Sequence, residues 1–515
     1  MMTPHAPRAT NVFRLVPGPG LRYSQLSGRN HRPPGLGDVP AQARPPRVRK
    51  HLPQSPVSVP HAARFEWRRS NRRGFLQAGL LAAGGLNLAN LLQLKSARGA
   101  DLGRPKSVIF LFLHGGPSQL ETYDLKPQAT AEVRGPCQPI ATRVPGLELC
   151  ELLPRHAEIA ERFSLIRSCT HGEGGHFEAH GRFLSGHPGL KPGTFESTHP
   201  QLGAIVGRAL RSQVRGLPAA VGMGLVIYNS AFGEYLPGIG EGYWNSSWRL
   251  PIVTKTGLPN STLTVDGARL QDRLGLLRQL DLLRREMDHR GSLEALDDFQ
   301  RTAVEILLAD KARAAFDLSH EDPRLVAAYG DEWGQTALVA RRLVEAGVRF
   351  VTISVPGGVQ AMDAPGWDDH AVNIDLPTIM RHRLPVYDQV VTTLINDLYE
   401  RGLNQDVLVI AAGEFGRTPR GTLQEGTATK KLQWGRDHWP GAQSILVSGG
   451  GLRMGQVIGA TDGQAGFPVE RPVDPQDVLA TLYRHLGIDL ATQFPDASGR
   501  PVTITTGTPI RELWG

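Results

Sequence analysis

Apolar residues recur along this chain in two rhythms. Short unbroken runs at 107–113 (SVIFLFL), 347–355 (GVRFVTISV) and 407–412 (VLVIAA) read as strands buried on both faces, the signature of a parallel sheet. Shorter pieces at 163–166, 218–223 and 444–447 extend the set. Between them, apolar positions return every three to four residues over 199–215, 376–401 and 474–486, which predicts helices with one buried stripe. Residues 266–346 share that period. Leu270, Leu274, Leu277 and Leu280, then Ala295, Phe299, Ala303 and Ile306, then Leu325 to Val344 predict three helices of an inserted layer. The stretch from 224 to about 263 has neither rhythm and carries Tyr228, Phe232, Tyr235, Tyr243, Trp244 and Trp248, an irregular aromatic cover. Strands alternating with helices predict an α/β fold with a doubly wound, mainly parallel central sheet flanked by helices.

Charge separates the front of the chain from the rest. Of 57 Lys and Arg, 14 fall in residues 1–73 against Asp38 and Glu66, and Lys95 and Arg98 follow. Residues 101–515 then hold 41 basic and 47 acidic groups, so the pI near 9.5 belongs to the leader and argues for no nucleic-acid partner. Residues 1–64, rich in Arg and Pro without periodicity, are expected to be disordered. Residues 71–77 (NRRGFLQ) resemble the twin-arginine export motif. An Ala/Gly/Leu run to 94 and Ala97-Arg98-Gly99 complete a signal peptide over 65–100, with cleavage before Ala100. The glycines and asparagines in that run weaken it as a transmembrane span, and the expected location is periplasmic or extracellular. The motif lies deep in the chain and no Met occurs between Met2 and Met223, which places the expected start of translation near Val57 or Val59. The mature protein is then one domain over 101–515. Outside the cytosol, a Cys137–Cys150 bridge fits the cysteine spacing and leaves Cys169 over.

Polar clusters follow the strands. His114 closes the first. Glu173, His176 and His180 crowd a glycine-rich stretch after the second, Asp368, Asp369 and His370 come later, Glu414 and Arg417 follow 407–412, and Asp437 and His438 precede 444–447. Ligands of open α/β sheets bind outside the carboxyl ends of the strands, where such residues would gather. Oxygen and imidazole donors without thiolate suit Zn²⁺, Mn²⁺ or Fe, one ion or two. Such cations polarise a phosphoryl or sulfuryl oxygen. Arg417 and Arg182 could clamp an anionic ester. Ser118 and Glu121 have the spacing of a capping box opening a short helix. Thr170 and Ser118 are hydroxyl candidates for a nucleophile beside a metal-bound hydroxide. The turn His114-Gly-Gly-Pro is too short for a dinucleotide fingerprint.

The segments HGGPSQLETYDLKP (114–127), GEGGHFEAHGRFLSGHP (172–188), GWDDH (366–370), GEFGRTPR (413–420), GRDHWPGA (435–442) and DVLATLYRHLGID (477–489) closely resemble the exported family known as domain of unknown function 1501. That family is similar to a branch of the alkaline phosphatase and sulfatase superfamily. The resemblance implies an alkaline phosphatase-like fold and a site for one or two metals. Taken with the polar clusters, it makes the expected function an exported metal-dependent hydrolase of phosphate or sulfate esters, including sulfated or phosphorylated glycans. The superfamily's metal positions fall best on Asp368, His370 and His438. His114 stands where the superfamily has a metal-binding Asp, and Glu414 where it has the Asp of an Asp-His pair. Glu414 and His176 are expected at a second or shared position, and the residue clusters alone add Glu173 as a candidate ligand. The resemblance puts His176 where the superfamily carries its nucleophile, and Phe415 where it carries a metal-binding His. The Cys169 segment lacks the Pro and Arg of a formylglycine site. A non-catalytic envelope protein with a degenerate metal site is the alternative.

Overall fold

The computed structural model describes residues 104–210, 217–224, 227–229, 233–235, 238–257, 314–330, 333–357 and 366–514. The expected leader, the signal peptide, the first two insertion helices and Phe232 lie outside these residues, as do the side chains of Tyr228 and Tyr235. The central sheet is built from β1 (Ser107–Phe112), β2 (Phe163–Cys169), β3 (Ala220–Gly224), β4 (Ile252–Val253), β5 (Phe350–Ser354), β6 (Val407–Ala412), β7 (Gln443–Gly449) and β8 (Val457–Ile458). Their order across the sheet is β8-β2-β7-β6-β1-β5-β3-β4. Five of the seven pairings are parallel; β7 runs antiparallel to both β2 and β6. The mainly parallel sheet expected from the apolar runs is therefore present, with one reversed strand whose direction no apolar pattern encodes.

Alternation along the strands sorts their side chains into two cores. Val108, Phe110 and Phe112 of β1 join Leu408 and Ile410 of β6 on one face. That face is covered by α1 (His176–Ser185), α2 (Leu202–Ala209) and α5 (Pro475–His485). Ile109 and Leu111 join Val409 and Ala411 on the other, under α3 (Trp333–Ala346) and α4 (Leu376–Glu400). Both faces are covered, which is why the strands read as unbroken apolar runs.

Two local expectations are overturned. The 325–344 stretch is not part of a separate layer: it divides between a short helix, Pro323–Tyr329, and α3, and α3 packs directly on the sheet. Ser118 opens no helix; the chain after it bends at 119 and turns over 120–123. Its hydroxyl donates to Glu121, and Glu121 grips the Arg436 guanidinium at 2.7 Å with both side chains fully buried. A buried cation needs its carboxylate, and that demand overrides a local helix cap. Among the described residues no helix is long and apolar enough to cross a membrane.

Candidate metal centre

The strand register brings five loops to one edge. Phe112 of β1 lies level with Ala412 of β6 and Ser354 of β5, so the segments carrying His114, Glu414 and Asp368 leave the sheet side by side. Cys169, at the end of β2, lies opposite Gln443, the first residue of the reversed strand β7. The chain after β2 and the chain before β7 therefore meet the others at the same edge, delivering His176 and His438. Helix α1 begins at His176, and its i and i+4 positions place His176 and His180 on one face. Buried Ala179, His180, Phe183 and Leu184 pin that face to the sheet. The glycine-rich sequence before it hides this helix from pattern reading.

Four side chains converge. The Nε2 atoms of His370, His438 and His176 stand 2.9, 3.1 and 3.3 Å from one oxygen, Asp368 Oδ1. His370 Nε2 and His438 Nε2 are 2.8 Å apart. The opposite nitrogen of each ring is engaged outward. His438 Nδ1 meets the Gly174 carbonyl at 2.8 Å, His370 Nδ1 meets Asp437 at 2.7 Å, and His176 Nδ1 meets Glu414 Oε1 at 2.7 Å. Each outer partner is an acceptor, so each Nδ1 donates its proton. Three Nε2 lone pairs and a carboxylate oxygen then face one point, an arrangement that repels itself unless a cation or proton sits among them. This set fits a divalent transition metal with no thiolate. Phe415, fully buried, packs its ring 4.5 Å from His438 and 5.2 Å from His176, fixing both imidazoles.

Electrostatics agree with that reading. Burial pulls His176 downward, but Asp368 and Glu414 on its two nitrogens outweigh it and raise its pKa to about 9. Burial lifts Asp368, and the three imidazoles with Arg417 overcome this and hold it far below the carboxylate range. Without a cation the cluster therefore retains a proton at its centre. His180 and Glu414 form a second grouping with His176, His180 Nε2 lying 3.3 Å from Glu414 Oε1. Glu414 is fully buried, accepts the Gly115 N–H at 2.8 Å, and has its own carbonyl held by His171 Nε2 at 2.6 Å.

The remaining sequence candidates stand elsewhere. Arg417 is no free anion clamp: its buried guanidinium donates to the carbonyls of Gly115, Gly116, Trp367 and Arg436 and to Asp368 at 2.8 Å. Arg182 donates to the Gly186 carbonyl and to Asp474. Asp369 is fully buried and gripped on both oxygens by Arg383, a fold contact. His114 is buried with Nδ1 3.2 Å from Ser354 Oγ; burial, against the pull of Glu414, lowers its pKa to about 4. Neither His114 nor Glu173 belongs to either grouping of donors, and the backbone N–H of Glu173 donates to His171. The Thr170 hydroxyl reaches the Pro440 carbonyl at 3.5 Å, and the Ser118 hydroxyl is engaged by Glu121. The ring role of Phe415 and the acceptor role of the Gly174 carbonyl are absent from the sequence reading. No residue type announces a carbonyl's direction.

The profile of a family described as "Protein of unknown function (DUF1501)" matches residues 105–514. A comparison with curated proteins finds no match. Among solved structures, the chain is similar to the PsFucS1 sulfatase from Pseudoalteromonas sp., at 11% identity, 78% of this chain, 70% of that chain and a TM-score of 0.34. It is similar to the alkaline phosphatase of the Antarctic bacterium TAB5, at 11% identity, 75% of this chain, 99% of that chain and a TM-score of 0.33. A lipoteichoic acid synthase, LtaP, from Listeria monocytogenes gives 11% identity, 78% and 74% coverage and a TM-score of 0.31.

Proposed function

We propose, from the premise that this chain belongs to the DUF1501 family, that it is an exported metal-dependent hydrolase of phosphate or sulfate esters. The observation that carries this reading is the convergence of three imidazole lone pairs on Asp368 Oδ1. Asp368, His176, His370 and His438 would hold the ion. Glu414, Asp437 and the Gly174 carbonyl would orient the three rings by accepting their Nδ1 protons. Glu414 thus supports a ligand rather than serving as one, unless a second ion uses it with His180. A divalent cation bound there supplies Lewis-acid polarisation of the ester oxygen. Neither Ser118 nor Thr170 donates into the cluster, which favours water over a side chain as the attacking group. The substrate class is an anionic ester such as a sulfated or phosphorylated glycan.

The test is hydrolysis of aryl phosphate and aryl sulfate esters by protein loaded with Zn²⁺ or Mn²⁺. Turnover that falls at least 100-fold in Asp368→Ala and His438→Ala supports the reading. One observation favours a second reading, an envelope protein that binds metal without hydrolysis: Arg417 and Arg182 are both committed to internal partners. Metal binding with no turnover on either ester class would select it.

A further inference from the structure

Cys137 and Cys150 are both buried, 4% and 0% exposed, in the same core. They flank a short hairpin in which Pro139–Ala141 pairs antiparallel with Glu148–Cys150, Pro139 opposite Cys150. The Glu151 N–H donates to the Gln138 carbonyl at 2.8 Å, closing the ladder on the Cys137 side. Both stand as free cysteines, and the Cys150 thiol neighbours Cys137 in that core. The neighbouring Cys150 thiol and burial push the Cys137 thiol far up. Cys169 is remote from them in the fold: it ends β2 on the opposite core, with the Gln443 amide 3.7 Å from its sulfur.

We propose that Cys137 and Cys150 are a disulfide site, closed by exchange with a disulfide donor, and that the bridge anchors the wall behind the metal centre. In the exchange, one protein thiolate attacks the donor disulfide and expels a donor thiolate. The second protein thiolate then attacks the mixed disulfide and expels the other. Two cysteines are oxidised, the donor is reduced to two thiols, and the protons leave with those thiols. The wall is the buried Glu121–Arg436 pair. Arg436 Nη2 donates to the Val133 carbonyl at 2.8 Å on the Cys137 segment, and the Cys150 N–H donates to the Thr122 carbonyl at 3.1 Å, next to Glu121. Gly135, at φ 71°, lets the backbone approach that pair; a Cβ there would meet Glu121 and lie 2.9 Å from Arg436 Nη2. A bridge between residues 137 and 150 therefore ties together the two segments that hold Arg436, two residues from His438. This site does not depend on the hydrolase reading.

The experiment equilibrates the full chain with oxidised glutathione at pH 8, then labels it with N-ethylmaleimide in urea and weighs it by intact mass. The expected result is one label per chain, on Cys169, rising to three after reduction, with a Cys137–Cys150 cross-linked peptide in the digest. Cys169→Ser then takes no label without reductant, and Cys137→Ser takes two. Reduction of the native chain lowers Tm by about 3 °C. Three labels without reductant, or a bridge that includes Cys169, overturns the proposal. The wild-type count is read on unfolded protein, so it holds even where a variant folds poorly.

Discussion

At the scale of single residues, the centre is defined less by its ligands than by what holds their far sides. Asp437 is more than half exposed, yet it accepts the His370 Nδ1 proton and so turns that ring's lone pair inward. Replacing it as Asp437→Ala is expected to weaken Zn²⁺ binding about 10- to 100-fold while leaving the melting temperature nearly unchanged, measured by competition with a chromophoric chelator. An unchanged affinity would make Asp437 a surface carboxylate and nothing more. Glu121 is the opposite case. Its removal in Glu121→Ala leaves Arg436 buried and unpaired, and the expected loss is about 3–5 kcal/mol in urea unfolding. These two acids were alike in the sequence, one residue in a plausible capping box and one in a polar cluster. Only the buried guanidinium decides between them, and it lies more than 300 residues away from Glu121 in the chain.

The elements position the site through close backbone approaches. After β1 the chain turns through Gly115 and Gly116, at φ 103° and 83°. A Cβ on Gly115 would stand 2.6 Å from the Asp368 backbone nitrogen, and one on Gly116 2.5 Å from the Phe415 ring. Gly115→Ala is thus expected to displace Asp368 and lower metal affinity at least tenfold, whereas Gly146→Ala, with open space around it but the same sign of φ, would cost stability without touching the centre. Equal effects on metal binding from both would contradict the argument. The helix α5 carries a pH dependence of its own. His485 is buried at its last turn; desolvation, aided by Lys106 and Arg349, outweighs the bond to the Ser107 carbonyl and lowers its pKa to about 4. The unfolded chain then binds a proton first as pH falls. Stability from this group is full above about pH 6.5, declines toward pH 4, and is lost by up to about 3 kcal/mol below it. His485→Gln should flatten the fall in urea stability between pH 6.5 and 4; an unchanged slope would assign it to other groups.

For the whole molecule, the strands and the long helices were legible because each buries an apolar stripe or run of the right period. Val407–Ala412, Leu376–Glu400 and Pro475–His485 fall within a residue or so of their expected bounds. The reversed direction of β7 was not legible, since a strand buried on both faces has the same composition either way. That reversal matters, because it carries His438 to the edge where the other loops end. Asp368, His370 and His176 were visible as polar residues after strands and His438 as one before a strand, and their convergence on one oxygen required the fold. Arg417 was misleading for a physical reason. A guanidinium can serve an anion or satisfy loop carbonyls, and here four carbonyls take it. The helix at His176 was concealed by the glycines that precede it.

The central claim is that Asp368 and three imidazoles form a metal centre. Elemental mass spectrometry of the chain purified without a histidine tag tests it most directly. The account predicts about one equivalent of Zn, Mn or Fe, retained through dialysis and lost in Asp368→Ala. A wild-type protein that carries no transition metal, and takes up none from added Zn²⁺ or Mn²⁺, would contradict it.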